Sequence, residues 1–304
     1  MEKTLEKLNK YNIPYIDQKN ILWKETPEDT ISKGIYRDNH VIIKIYNILD
    51  YYQENNFYEE VCTEIYNYSI VKDCFHCCDI YGYSTYEKDG ETYFHLILKD
   101  YGLIGDIDDY MNEFKFWTRS ENSELNNLNY HYEVEDAYYY IYTLERDAKI
   151  KITLGICDAI EELHSKGMVH CDLKLENIIY DPKEKIVRLI DFGCSCHLKN
   201  EAYCYSDENM GTLGYMSEDI SRGYITKRGD IYSLGVLVLE LWVGRLWIEA
   251  YDEEGCYNEV LEGLTILRKK EPELSKIIKI CLSKEIKDRP YIATVHRRLN
   301  KLFN

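Results

Sequence analysis

The sequence is poor in the residues that define fibrous or extended chains, with only 16 Gly and 5 Pro among 304 residues. This scarcity excludes a collagen-like or Pro-rich architecture. Positive charge is also scarce, because 37 Lys and Arg stand against 54 Asp and Glu, for a net charge of −17. Such a chain repels nucleic-acid phosphates and anionic lipid, so we expect neither as a partner. A basic protein is a more compatible partner.

The sequence also lacks a long apolar run. The longest, from Ile231 to Val243, is interrupted by Glu240 and is shorter than the roughly 20 residues of a membrane span, so it predicts a buried core helix. The chain begins with charged residues rather than an apolar signal segment, and its 11 Cys have no regular spacing. These features predict reduced cysteines and an intracellular, cytoplasmic location, with the nucleus as the open alternative. They are silent on the oligomeric state.

The first hundred residues are predicted to form strands and one helix. Residues 41–45 and 92–98 are short apolar runs typical of strands. Residues 50–70 have apolar positions at every fourth place, which predicts an amphipathic helix. Glu60 and Glu64 share one face of that helix, beside the apolar stripe.

The rest of the chain is predicted to be mainly helical. Apolar residues from Ile152 to Leu163 have helical spacing, with Asp147 as the expected N-cap and Gly167 as the C-terminal stop. Residues 118–147 break this pattern and are rich in Asn, Glu and Tyr, so we interpret them as an exposed insertion. No Gly/Ser linker divides the chain.

Four motifs carry the chemistry, and they occur in one order: VIIK ending at Lys44, HCDLKLEN from His170 to Asn177, DFG from Asp191 to Gly193, and GTLGYMSED from Gly211 to Asp219. Asp230 in GDIYSLG and Arg289 in DRP follow. With this set the chain resembles the eukaryotic-type protein kinase family, in particular its serine/threonine members, over about residues 22–300.

The resemblance implies an α+β, bilobal protein kinase-like fold in a single domain spanning residues 1–304. A small β-rich N-lobe with one helix would end at about residue 101. A larger, mainly helical C-lobe would fill residues 102–304. The implied activity is transfer of the γ-phosphate of ATP to Ser or Thr hydroxyls of a protein, with ATP and Mg²⁺ bound between the lobes.

The resemblance also implies roles for the charged residues of the motifs. Asp172 would orient the substrate hydroxyl and accept its proton, and Lys174 would reach the transferring phosphate. Asp191 and Asn177 would supply carboxylate and carbonyl oxygens to the metal, because a hard divalent cation prefers oxygen ligands. Thr212, like Lys174, resembles the serine/threonine subgroup.

The remaining implied contacts concern the nucleotide. Lys44 would hold the α and β phosphates, fixed by Glu64, with Glu60 as the alternative if one residue is inserted. Asp106 occupies the position of the ribose-binding acid. Asp100 and Tyr101 would be hinge residues whose backbone groups bind the adenine edge.

The chain departs from the family in its phosphate-covering loop. Residues 24–29, Lys-Glu-Thr-Pro-Glu-Asp, stand where three glycines are expected, and their side chains and acidic charge oppose close approach of the phosphates. Lys24 could compensate in part. This departure motivates an alternative function, a catalytically weak or inactive pseudokinase that acts as a nucleotide-binding scaffold or decoy. A third alternative is an enzyme with the kinase fold that acts on a small molecule rather than on a protein.

Two further positions depart from the family, and two cysteine pairs invite another interpretation. Cys171 replaces the arginine that receives an activation-loop phosphate, so activation by that route is not expected. Asp219 replaces a glutamate and would have to pair with Arg289 through a shorter side chain. Cys74 and Cys77 have the spacing of a metal knuckle but lack a second pair, so a structural role is favoured, as for Cys194 and Cys196.

Overall fold

The structure is a computed structural model that describes residues 6–24, 30–48, 54–88, 91–102, 115–119, 138–142, 144–206, 210–244 and 253–304. The glycine-free segment from residue 25 to 29, Asp106, and residues 120–137 of the predicted insertion lie outside the described residues.

The N-terminal part forms an antiparallel five-stranded sheet of order β1-β2-β3-β5-β4. Its strands are β1 (Ile21–Trp23), β2 (Ile31–Tyr36), β3 (Asn39–Asn47), β4 (Ile80–Lys88) and β5 (Glu91–Lys99). Val41, Ile43 and Ile45 alternate along β3 into the core, which turns Lys44 to the other face. The two predicted strands are therefore confirmed within β3 and β5.

One long helix, α1 (Glu54–Val71), packs against this sheet. Its stripe of Phe57, Val61 and Ile65 is fully buried, as the spacing predicted. Residues 50–53 of the predicted range lie outside the described residues.

The C-terminal part is mainly helical, and its helices are α2 (Arg146–Ser165), α3 (Glu218–Ser221), α4 (Lys227–Val243), α5 (Glu253–Lys270), α6 (Pro272–Cys281) and α7 (Ile292–Phe303). Short strands complete it as antiparallel pairs: β6 (Lys115–Arg119) with β7 (Tyr138–Tyr142), β8 (Met168–Val169) with β11 (Cys196–His197), β9 (Ile178–Asp181) with β10 (Ile186–Leu189), and β12 (Cys204–Tyr205) with β13 (Tyr224–Ile225). The α+β bilobal fold expected from the motifs is confirmed.

The helix predicted around residues 152–163 is α2. The structure confirms its predicted C-terminal stop and corrects its predicted N-cap. Gly167 follows the helix with φ of +76°, a left-handed conformation that suits glycine, as predicted. The assignment of Asp147 as the N-cap is wrong. The N-cap is Glu145, whose carbonyl accepts from the amides of Ala148 and Lys149, so Asp147 already lies in the first helical turn.

The apolar run from Ile231 to Val243 lies in α4, where nearly every residue is buried, as predicted. Within the part of the chain that the structure describes, no helix combines the length and the hydrophobicity needed to cross a membrane.

The loop after α1 fastens this helix to the larger lobe. The Glu162 carboxylate on α2 accepts hydrogen bonds from the amides of Phe75 and His76, at 2.9 and 2.8 Å. Burial alone would raise the pKa of Glu162, but these amide donors lower it. Cys74 and Cys77, the pair with metal-knuckle spacing, are buried in the hydrophobic core at this junction.

A buried ion pair joins distant parts of the larger lobe. The Arg289 guanidinium bonds to both carboxylate oxygens of Asp219, at 3.1 and 2.5 Å, and its side chain is 1% exposed. It also donates to the carbonyl oxygens of Ser283, Lys284 and Arg228. The pair predicted from the GTLGYMSED and DRP motifs is confirmed, and the shorter acid reaches its partner.

Asp219→Ala is expected to destabilise the fold by about 3–5 kcal/mol, because it leaves the Arg289 charge buried without its partner. The measurement is the free energy of unfolding in urea. Glu218→Ala is the matched control, since this neighbouring acid is half exposed and pairs with Arg222 on the surface. Equal losses for the two variants would contradict a special role for the buried pair.

Candidate active site

Strand β3 and helix α1 bring a lysine and a carboxylate together. Lys44 Nζ lies 3.1 Å from both Oε1 and Oε2 of Glu64, whose side chain is 1% exposed. The buried stripe of α1 faces the core, so Glu64, beside that stripe, turns inward toward β3. Glu60, the alternative partner, lies on the exposed side of the helix. The geometry therefore pairs Lys44 with Glu64.

Asp191 completes this charged cluster. Its Oδ1 lies 2.8 Å from Lys44 Nζ and accepts from the Gly193 amide at 3.3 Å. Asp191 has φ of +61°, an uncommon conformation for a residue with a side chain, which points to a tightly held segment. A Cβ on Gly193 would lie 3.3 Å from Asp191 Oδ1 and 3.4 Å from Glu64 Oε2, so a side chain there would crowd both acids.

The protonation of the cluster follows from burial and pairing. Burial raises the pKa of Glu64 to about 7, against the opposing effect of Lys44. Burial would lower the pKa of Lys44, but Glu64 and Asp191 together raise it above its usual value. Burial likewise opposes ionisation of Asp191, yet Lys44 and the Gly193 amide hold its pKa below the usual range. Near neutral pH the lysine and Asp191 are charged, and Glu64 is close to its titration point.

Two residues that the motifs did not reveal support this cluster. The Tyr46 hydroxyl donates to Glu64 Oε2, and Lys44 Nζ lies 5.2 Å from the centroid of the Tyr46 ring. Asn67 Nδ2 donates to the carbonyl oxygens of Phe192 and Ser195, both at 2.8 Å, and so ties α1 to the DFG segment. Periodicity could have found both, because Tyr46 is two residues from Lys44 on a strand and Asn67 is three from Glu64 on a helix.

A second cluster surrounds Asp172. Its Oδ1 accepts from the Thr212 hydroxyl at 2.7 Å, and its Oδ2 accepts from Asn177 Nδ2 at 2.8 Å. Lys174 Nζ donates to Thr212 Oγ1 at 3.1 Å and lies 3.7 Å from Asp172 Oδ2. Asp172, Lys174 and Asn177 are thus assembled with Thr212, which belongs to a different segment of the chain.

A buried carboxylate holds the backbone of the loop that carries Asp172. Asp230, which is fully buried, accepts from the amides of His170 and Cys171 at 2.9 and 3.0 Å and from His164 Nε2 at 2.8 Å. Asp230 thus fixes the backbone of the loop that carries Asp172. A Cβ on Gly211 would lie 2.5 Å from the Cys171 carbonyl oxygen, so glycine is needed where Thr212 enters the site.

The two clusters lie on adjoining segments. The Ile190 amide, next to Asp191, donates to the carbonyl oxygen of Asn177 at 3.0 Å, and His170 Nε2 donates to the Ile190 carbonyl oxygen at 3.1 Å. Phe192, fully buried, packs against the rings of Tyr68 and His170 at 5.1 and 5.5 Å between centroids. The acids and lysines singled out in the motifs therefore converge from elements far apart in sequence.

The predicted hinge and loop residues lie at the edge of this arrangement. Asp100 donates its amide to the His40 carbonyl and accepts from the Gly102 amide. The Tyr101 ring stacks under the Arg188 guanidinium at 4.3 Å and donates its hydroxyl to Asp79. Lys24 Nζ donates to His40 Nδ1 at 2.9 Å, and no hydrogen bond within the described chain joins it to Asp191.

Comparison with known proteins identifies the class to which this fold and site belong. Residues 30–299 match the family model described as protein kinase domain. The chain belongs to this family.

The relatives of the chain include several serine/threonine kinases. It is 37% identical over 130 residues to the probable serine/threonine-protein kinase PBL25 of Arabidopsis thaliana, covering 41% of this chain and 34% of that protein. It is 34% identical over 160 residues to the serine/threonine-protein kinase PSK2 of Saccharomyces cerevisiae, covering 50% and 13%. It is 34% identical over 155 residues to the serine/threonine-protein kinase ppk16 of Schizosaccharomyces pombe, covering 49% and 22%. The matches thus span about a third or less of these relatives.

Tyr46→Phe is expected to shift the acidic limb of the pH profile of phosphate transfer upward by roughly one unit. The ion pair with Lys44 requires ionised Glu64, and a hydrogen bond to a charged group contributes about 1.5 kcal/mol. Loss of the donor therefore raises the pKa of Glu64, so a higher pH is needed to ionise it. The measurement is the transfer rate against pH.

Tyr93→Phe is the control for this experiment, because its hydroxyl donates to Glu91 on β5 rather than to Glu64. An unchanged acidic limb in Tyr46→Phe would show that Tyr46 does not tune Glu64.

Proposed function

We propose that this protein is an ATP- and Mg²⁺-dependent serine/threonine protein kinase. The observation that carries the proposal is that the Lys44–Glu64–Asp191 cluster and the Asp172–Lys174–Thr212 cluster lie on segments joined by the hydrogen bond between Ile190 and Asn177. The kinase family and its serine/threonine members support the same reaction. ATP would supply the γ-phosphate, and a protein hydroxyl would receive it.

The donor set fits a divalent metal. The amide nitrogen of Asn177 is committed to Asp172, so its carbonyl oxygen is the atom that remains for coordination. Asp191 engages Lys44 and Gly193 through Oδ1, and its second oxygen is the candidate ligand. Oxygen donors of this kind suit Mg²⁺, which would neutralise phosphate charge when bound. We assign Asn177 and Asp191 to the metal.

The protein's own residues then have separate tasks in the transfer. Asp172 would orient the hydroxyl of the acceptor and accept its proton on a carboxylate oxygen. Lys174, steered by the Thr212 hydroxyl, would contact the transferring phosphoryl group. Lys44, fixed by Glu64, would hold the phosphates that remain with the nucleotide.

The outer nucleotide contacts are proposed on position in the fold. Asp100 and Tyr101 follow β5 directly and would present backbone groups to the adenine. Asp106, which lies outside the described residues, is proposed as the ribose contact from its place in the sequence alone. Lys24, at the end of β1, would add positive charge beside the phosphates.

The net charge of −17 favours a basic protein substrate. Nine thiols among the 11 Cys suit a reducing, cytoplasmic setting.

The proposal is tested by transfer of label from γ-labelled ATP, with Mg²⁺, to the protein itself and to a basic acceptor protein. Asp191→Asn and Asp172→Asn are expected to lower the transfer rate at least about a hundredfold, because each removes a charge that acts on the reacting groups. Asp158→Asn is the control, since this carboxylate is half exposed on α2 and bonds to His296.

Phosphoserine or phosphothreonine on the acceptor would distinguish a protein kinase from a small-molecule kinase. A folded wild-type protein without transfer would overturn the proposal in favour of the pseudokinase scaffold.

Thr212→Ala is expected to lower the maximal rate of transfer about tenfold or more, whereas Thr212→Ser retains most of it. The hydroxyl both donates to Asp172 and accepts from Lys174, so its loss leaves two charged groups without their positioning partner. The measurement is kcat and KM for ATP in both variants. A loss confined to KM, or equal losses in Ala and Ser variants, would contradict this role.

A further inference from the structure

A groove lies between the outer faces of α6 and α7 in the larger lobe. Its volume is about 310 Å³. The residues that line it fall at helical spacing, so on each helix they share one face. None of them belongs to the Lys44 or the Asp172 cluster. The groove is therefore separate from the candidate active site.

The floor of the groove is apolar. Ile277 and Leu302 are half-buried, and Ile280 is 36% exposed. The opposite face of α6 already supplies Leu274 and Ile278 to the core, and both are fully buried. A single exposed apolar side chain needs no explanation, but three that line one groove gain free energy when another apolar surface covers them.

The rim of the groove is basic. Lys276, Arg298 and Lys301 border it, and all three are exposed. Within the described residues, no carboxylate forms an ion pair with Arg298 or Lys301. Lys276 pairs with Glu273 on the same helix, but both side chains are exposed, so this pair contributes little stability and is readily exchanged. The rim thus has a local excess of positive charge on an acidic protein.

Both walls of the groove are fixed by contacts with the rest of the lobe. The Phe303 ring of α7 stacks on Trp242 of α4, with 5.6 Å between centroids. His296 of α7 bonds to Glu161 of α2 at 2.8 Å. Helix α6 is anchored by the buried Leu274. A groove that is already formed loses little conformational entropy when a partner binds.

The distribution of charge selects the kind of partner. At physiological ionic strength, interactions between exposed charges are screened beyond about 8 Å, so a short segment in the groove interacts mainly with the basic rim. An extended polyanion, such as nucleic acid or an anionic membrane, would also meet the rest of a chain whose net charge is −17. A short acidic segment with an apolar face therefore matches both the floor and the rim.

We propose that the groove between α6 and α7 is a docking site for an acidic amphipathic helix of a partner protein. An amphipathic helix can lay its apolar face into such a groove. Its apolar side chains would cover Ile277, Ile280 and Leu302, and its carboxylates would pair with Arg298 and Lys301. Binding of this kind needs neither ATP nor phosphate transfer, so it does not rest on the proposed kinase function.

The test measures binding of a fluorescein-labelled peptide to the purified full chain by fluorescence anisotropy, without ATP and at about 0.15 M salt. The peptide has about 15 residues, with Leu at helical spacing and Glu or Ala elsewhere. We expect saturable binding to the wild type. The combined variant Lys276→Glu, Arg298→Glu and Lys301→Glu should weaken it at least about tenfold, because attractive contacts become repulsive. Absence of binding to the wild type overturns the proposal.

The matched control makes the same change of net charge on exposed lysines elsewhere. It combines Lys19→Glu, Lys33→Glu and Lys183→Glu. We expect its affinity to stay within about twofold of the wild type, because these positions lie outside the groove. Equal weakening in the two variants would attribute binding to net charge and overturn the site.

A second comparison tests the apolar floor. A peptide of unchanged charge, in which Ser replaces every Leu, is expected to bind at least about tenfold more weakly. Ile280→Ser should weaken binding of the Leu peptide about fivefold, and its exposed position leaves the fold intact. Equal affinity for the two peptides would reduce the interaction to charge alone and contradict a docking groove.

Competition distinguishes an acidic protein segment from other polyanions. Duplex DNA and vesicles that contain phosphatidylserine are added to the bound peptide at the same salt concentration. Neither is expected to displace it, because the acidic surface of the chain repels both. Displacement by either one overturns the assignment of the groove to an acidic helix.

Discussion

The site depends on one buried electrostatic arrangement, in which a lysine lies between two carboxylates. Lys44 can remain charged in a mostly buried position only because Glu64 and Asp191 both contact it, since an unpaired buried charge is strongly destabilising. The three residues belong to β3, α1 and the DFG segment. Their pairing therefore fixes how the helix and that segment sit against the sheet. Tyr46 and Asn67 reinforce the same arrangement through hydrogen bonds.

The larger lobe also depends on buried charged groups that are paired, namely carboxylates that bind backbone amides or a guanidinium group. Asp230 fastens the loop that carries Asp172, and Asp219 fastens Arg289 in the interior. A chain with a net charge of −17 thus uses a few acids as buried anchors, each matched by donors. These contacts fix the segments that carry the acids and lysines of the site. The positions of the site residues therefore depend on contacts that do not take part in the reaction.

Several elements of the fold could be predicted from the sequence, because the spacing of their apolar residues follows directly from strand or helix geometry. Strand alternation around Lys44 and the four-residue stripe of α1 follow from backbone periodicity. The order of the motifs predicted the pairing of Asp219 with Arg289 across 70 residues. The prediction that Asp147 is the N-cap of α2 was wrong. Acidic residues suit the whole first turn of a helix, so the sequence does not show at which residue the helical backbone begins, and in the structure the N-cap is Glu145. The sequence favoured Glu64 over Glu60 as the partner of Lys44, and the packing of α1 against β3 decides for Glu64.

The sequence by itself determined the family, the residue types of the site and the faces of the main strands and helices. Only the tertiary structure decided which groups meet: Tyr46 with Glu64, and Thr212 with both Asp172 and Lys174. The physical reason is that periodicity and motifs fix the direction of a side chain relative to its own backbone. Contacts between distant segments depend on how whole elements pack, and that packing is set by the buried core and its paired charges.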